Sequence, residues 1–366
     1  MEEYMEIKEI KNNLFKLDDD NNDIVLNSLN IAIKSYFCSY ASVREQFDKR
    51  TYHETYSKDY YENFSETILH FHHFFELLLK ELLKNEHKLL PIDITRESKV
   101  LVKLITNKPL EDNEKLNNNT LAFKSLLDRT CKLISLEPNI HFGFIKNHKA
   151  SLDLLNDIRN GIWHKGENML TYEAYDYLIG KYILPLAVKF LKCSNYMEKY
   201  KKTQLWVFKG NSIKINPLEL IIKEFEKEKI DIGKVAVLKE LGRASYYSHY
   251  GKVFGTFVEQ KNKIAYQLAK AELVNDFEST NAILNCPCCG AESLVTYYSD
   301  EITYSEEHMI EDENGYIQTC NTIAGNQYID KVKCPNCTFQ LNKKGLKNLK
   351  EYGFDVEDYW IIIKEY

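Results

Sequence analysis

Two short cysteine pairs constrain this chain more than any other feature. Cys286-Pro-Cys288-Cys289-Gly and Cys334-Pro-Asn-Cys337 are separated by 44 residues. In a Cys-x-x-Cys turn the two thiols can point at one position, and two such turns supply four sulfurs in the tetrahedral arrangement that Zn2+ prefers. The proline after each first cysteine and the glycine after Cys289 suit tight turns. Cys286, Cys289, Cys334 and Cys337 are therefore the expected metal ligands, and a closed four-sulfur shell makes the metal structural, with no position left for water or substrate. Cys288 could compete for a place in this shell, and Cys320 is a weaker fifth candidate. Cys38, Cys131 and Cys193 stand alone in apolar helical settings and read as small core residues.

The pattern resembles a zinc ribbon, over residues 281–345. Short β-like runs (Ser293–Tyr298 and Tyr328–Val332) agree with a small β-rich unit. Between residues 286 and 342 nine acids face only Lys331 and Lys333. Such a surface repels a phosphate backbone, so the ribbon is expected to dock a regulatory protein partner or a second copy of the chain, not nucleic acid. Residues 346–366 are expected to form a short helix and an apolar run, Tyr359–Ile363, that docks on the body.

The first 200 residues read differently. Apolar residues recur at helical spacing over Ile24–Phe47, Tyr60–Leu90, Leu121–Ser135, Ile145–Trp163 and Tyr172–Cys193. Asp23, Ser57, Thr120 and Thr171 stand where N-caps are needed. The stretch 106–119, with a proline, acids and five asparagines, is expected to be a surface loop. The middle segment, 201–280, predicts a short strand over 203–209 and then further helices. From Lys199 to Lys270 it carries 15 basic against 7 acidic residues, interleaved with Tyr246, Tyr247, Tyr250, Phe254 and Phe257. That mixture can meet phosphates and stack on bases, although a solvated helix face accounts for it equally well.

The longest apolar stretches, Ile68–Leu83 and Tyr177–Leu191, are broken by His, Glu or Lys and fall short of the roughly 18–20 residues a membrane span needs. The amino-terminal sequence lacks a signal-peptide core, so no membrane association and a cytoplasmic location are expected. The net charge of −6 gives no global attraction for nucleic acid, so any such site must be local.

One stretch offers it: Asp157-Ile-Arg159-Asn160-Gly-Ile-Trp163-His164-Lys. With only six arginines and ten histidines in the chain, an Arg-x4-His pair inside a helical segment is unlike a chance arrangement. A histidine can move protons at neutral pH, a guanidinium can grip two phosphate oxygens, and Asn160 can orient either. This resembles the HEPN superfamily, helical bundles whose ribonucleases carry Arg-x4-His, often with asparagine after the arginine. The resemblance spans about residues 20–195. Gly166 departs from the subgroup with a tyrosine two residues after the histidine.

The resemblance implies a mainly α protein with a HEPN-like helical domain (1–200), a basic helical segment (201–280), the ribbon (281–345) and a tail (346–366). It implies an endoribonuclease with no catalytic metal, with His164 as general acid and base, Arg159 as phosphate clamp and Asn160 as positioning residue. It also implies a homodimer acting on RNA, tRNA among the candidates, as a toxin or antiphage effector. Two other readings fit the residues: a non-catalytic RNA- or protein-binding module, and a zinc-ribbon adaptor. His70, His72, His73 and Glu76 form a weaker constellation, in which a metal site competes with ordinary core packing. Lys80 pairs with Glu76 at helical spacing and could line the RNA cleft.

Overall fold

The computed structural model describes residues 23–46, 57–93, 120–165, 169–194, 196–201, 211–253, 258–276, 280–311, 317–342, 344–354 and 359–365, with a few isolated positions besides. The protein is mainly helical, with an antiparallel sheet and a cysteine cluster near the C-terminus. No helix among the described residues is long and apolar enough to cross a membrane.

Helices α1 (Ile24–Val43) and α2 (Lys58–Glu86) form an antiparallel pair. Their apolar residues repeat every three or four positions, from Leu29, Ile33, Tyr36 and Tyr40 to Phe64, Ile68, Phe71 and Phe75, so each helix buries one continuous stripe. Three bonds record the register: Ser57 to the carbonyl of Ser42 at 3.1 Å, Ser35 to Glu66 at 2.6 Å, and Ser28 to His73 at 2.8 Å. Asp23, Ser57 and Thr171 accept hydrogen bonds from first-turn amides, as expected of N-caps. Thr120 does not: it bridges to Ile92, and α3 (Phe123–Leu136) starts after Ala122 without a side-chain cap.

A short turn of helix, α4 (Phe144–Asn147), leads into α5 (Lys149–Lys165). The next helical run is continuous but not uniform: α6 (Tyr172–Tyr177), a π-helical stretch Leu178–Ile183, then α7 (Leu184–Cys193). Pro185 supplies the reason. It has no N–H to continue the ladder, and the amide of Leu184 just before it reaches five residues back to Ile179. The widened turn carries Gly180 against Phe225, where a Cβ would meet the ring at 2.3 Å.

The middle segment keeps much of the expected basic surface, with Lys214, Lys223, Lys227, Lys229, Lys263 and Lys270 exposed, but it buries two of its cations. After α8 (Pro217–Phe225), capped by Asn216, the chain enters α9 (Ile232–Val253), which is buried on all sides from Val235 to Ser245. Lys239 is fully buried, its Nζ 2.5 Å from Asp176 and over the rings of Tyr36 (4.2 Å) and Tyr172 (4.5 Å). Burial lowers its pKa, and Asp176 opposes the shift. Arg243 grips Glu240 through both nitrogens, at 2.6 and 2.8 Å. These two cations are thus held in the core by carboxylates, and Lys239→Ala is expected to leave Asp176 buried and unpaired, at a cost of about 3–5 kcal/mol. Urea unfolding measures this, and a loss below about 1 kcal/mol would remove the pair's structural role. The side chains of Tyr247, Tyr250, Phe254 and Phe257, and the expected strand at 203–209, lie outside the described residues.

Helix α10 (Val258–Asn275) lays Ala265 and Ala269 against the sheet. Strand β1 (Thr280–Asn285) pairs with β2 (Glu292–Glu311), β2 with β3 (Ile317–Lys333), and β3 with β4 (Gln340–Asn342). The β2–β3 hairpin is far longer than the expected short strands. Its register runs from Val295 opposite Lys333 to Glu311 opposite Ile317, well past the two short runs marked in the sequence. After a short helix α11 (Lys344–Leu349), the tail corrects a second expectation. Tyr359–Glu365 is strand β5, paired antiparallel with β3 from Tyr328 to Thr322. The sheet therefore extends past residue 345, and β4 and β5 share one edge of β3. Leu294, Val332, Phe339 and Leu341 belong to the same continuous core as α1 and α9.

Candidate active face and metal centre

Helix α5 is anchored by Leu152, Leu155, Ile158 and Ile162, which are buried at helical spacing. Asn156, also buried, meets Nε2 of His72 at 3.2 Å. Three and four residues later come Arg159 and Asn160, both half-buried. Arg159 donates to Oδ1 of Asn160 at 2.9 Å, and its guanidinium stands 5.9 Å from the ring centre of Trp163. No carboxylate pairs with Arg159 among the described residues, Asp157 on the same helix included. Glu167 lies outside them. His164 is exposed.

The structure brings Arg159 and Asn160 together but not His164. The helix runs without interruption through Gly161, so residues five apart differ by about 140° in direction and about 7.5 Å in height. A helix distorted at Gly161 could bring the two together within one copy, and the structure does not adopt it. Asn156, Asn160 and Trp163 occupy the helix face between Arg159 and His164.

His70, His72 and His73 do not form a metal group among the described residues. His73 turns to Ser28, and His72 packs 4.3 Å from the ring of Phe123 under Asn156. Burial lowers the pKa of His72, against the pull of Asn156 and of Glu76, whose Oε2 is 3.8 Å from Nδ1. A neutral histidine thus braces the root of the Arg159 turn. Glu76 is bonded to Lys80 at 2.6 Å. Lys80 also lines a cleft of about 630 Å3 with Lys84, Lys199, Asp23 and Tyr196.

The four expected cysteine ligands do meet. The sulfurs of Cys286, Cys289, Cys334 and Cys337 all lie within 4.8 Å of one another, in a group that could hold a metal ion. The two turns are built alike. Gly290 and Thr338, each just after a second cysteine, adopt left-handed φ angles of 75° and 63°. Their amides bond back to the carbonyls of Cys286 and Cys334 at 2.9 and 2.8 Å. Hydrogen bonds from the other three thiols hold Cys289 well below the usual thiol range, whereas burial pushes Cys286 up. A cluster of this kind favours one ionised sulfur among protonated neighbours until a cation balances the rest. Outer donors are in place: Nδ2 of Asn336 lies 3.4 Å from Cys289 Sγ, and Oγ of Ser293 lies 3.1 Å from Cys334 Sγ.

Cys288 is outside this shell, buried beside Ser245 at 3.7 Å. Cys320 pairs with His308 along the hairpin, roughly 40 Å of strand away from Lys333. Both turns dock on the helical body. Ser212 bonds the carbonyls of Cys286 and Pro287 at 3.2 and 2.8 Å, and Arg243 binds Thr338 through its hydroxyl and its carbonyl. Sequence reasoning missed these supports, because Ser212 and Arg243 are remote from the cysteines in the chain. No family model matches this chain, and no curated protein or solved structure matches it.

Proposed function

We propose that the protein is an endoribonuclease of HEPN type whose cleavage site is built on α5, and that its cysteine centre holds structural Zn2+. The observation that carries the nuclease reading is a half-buried guanidinium held by Asn160, free of carboxylate pairing among the described residues and five residues along the helix from an exposed histidine. The chemistry needs only these groups. The RNA 2′-hydroxyl attacks phosphorus, the P–O5′ bond breaks, and a 2′,3′-cyclic phosphate and a 5′-hydroxyl result. His164 takes the proton from the 2′-hydroxyl or gives one to the departing 5′ oxygen. Arg159 binds the non-bridging oxygens as charge develops on them.

Because Arg159 and His164 diverge on one helix, two copies related by a two-fold axis pool their motifs at one phosphate. Four thiolates suit Zn2+ over harder cations, and the metal closes the two turns without entering the reaction. The resemblance extends this reading to a toxin or antiphage effector that cuts tRNA or other cellular RNA, under the control of a protein partner.

The test is cleavage of total RNA and of tRNA in EDTA by the full chain, with folding followed by circular dichroism and product ends analysed chemically. Cyclic-phosphate ends are expected. Intact RNA in the presence of folded dimer, or 3′-hydroxyl ends, would overturn the reading.

A further inference from the structure

Trp163 is the largest side chain on α5, yet it leaves 65% of its surface in solvent. Burying an indole is worth more than burying almost any other group, so an exposed one beside a reactive pair calls for an occupant. The helix places it on the motif's own face, turned by about 40° from Arg159 and about 100° from His164. The Arg159 guanidinium lies over its ring at 5.9 Å. No other aromatic ring packs on it among the described residues.

We propose that Trp163 is the base-stacking residue of this site, and that the substrate is unpaired RNA. This rests on the ribonuclease reading of the same helix. A nucleobase stacks on the indole face opposite Arg159, and its phosphate then falls beside the guanidinium that is to hold it. Every base has a π-face, so the contact tolerates sequence but requires a base that is out of its helix. Loops and single strands satisfy that requirement, and an intact duplex does not. The cation–π contact steadies the indole before RNA arrives.

The experiment uses the full chain with Trp206→Phe and Trp360→Phe, which leave Trp163 as the one tryptophan, on a His164→Ala background that keeps RNA intact. The probes are a short single-stranded oligoribonucleotide and the same strand in a duplex. The single strand is expected to quench Trp163 emission, and the duplex to do so far less. In a matching His164→Ala protein, Trp163→Ala is expected to weaken single-strand binding by roughly 5- to 100-fold, the equivalent of one stacked base, and Trp163→Phe to keep most of the affinity. Equal binding of single strand by Trp163→Ala overturns the proposal, as does equal quenching by duplex. So does a shift from dimer to monomer in sedimentation of Trp163→Ala, which would assign the indole to a contact between copies. If His164→Ala abolishes cleavage while Trp163→Ala still binds and cleaves as the wild type does, stacking alone falls. If the wild type neither binds nor cleaves RNA, the nuclease reading falls with it.

Discussion

His164→Ala is expected to lower the single-turnover rate of RNA cleavage by about 10²–10⁴-fold, the usual worth of a positioned acid–base group. Arg159→Ala should lose a comparable factor, and Arg159→Lys should recover little, because an ammonium cannot repeat the two parallel bonds of a guanidinium. His164 is exposed, so its removal should leave the melting temperature within a degree or two of wild type, and lost activity can be read as lost chemistry. The divergence of the two residues on α5 adds a sharper expectation. Where each site draws Arg159 from one copy and His164 from the other, mixing the two inactive variants yields heterodimers with one intact site. Statistical exchange then restores about a quarter of wild-type activity. Full activity in either single variant would sink the assignment. No recovery on mixing would place both groups of a site in one copy.

Removing the metal is expected to have the larger effect on stability. Closing a four-thiolate shell around Zn2+ is worth roughly 10–16 kcal/mol in small zinc domains, against a total stability of about 5–15 kcal/mol for a typical protein. Here the two turns also brace the helical body, through Ser212 on one side and Arg243 on the other. Cys334→Ser or Cys337→Ser should therefore yield protein without stoichiometric zinc, with the sheet lost and α9 loosened. Strong chelators should do the same to wild type. Cys288→Ala should keep its zinc, because that sulfur is not one of the four grouped and lies beside Ser245. Metal analysis alongside thermal melting decides the matter. A Cys334→Ser protein with wild-type zinc content and melting temperature would remove the metal from the structural account.

The parts of the molecule that could be read from the chain are those written in local spacing. Leu29, Ile33, Tyr36 and Tyr40 announce α1, and Phe64, Ile68, Phe71 and Phe75 announce α2, because a helix buries whatever recurs every three or four residues. Asp23 and Ser57 mark helix starts through bonds that span two or three residues. The cysteine pairs belong here as well, since a Cys-x-x-Cys turn aims its own thiols. The Arg159–Asn160 contact is local too.

What could not be read depended on partners far along the chain. Lys239, Glu240 and Arg243 look like a solvated helix face, and they are buried because Asp176, Arg44 and the turn at Thr338 arrive from elsewhere to match them. Tyr359–Glu365 looks like a docking tail, and it is a strand because β3 leaves an edge beyond β4 that needs backbone partners. Residue spacing alone set the helices and the two Cys-x-x-Cys turns, since each rests on contacts within a few residues. Long-range packing set which charges are buried, how far the sheet extends and which way Arg159 and His164 face, since those energies are defined only once distant segments meet.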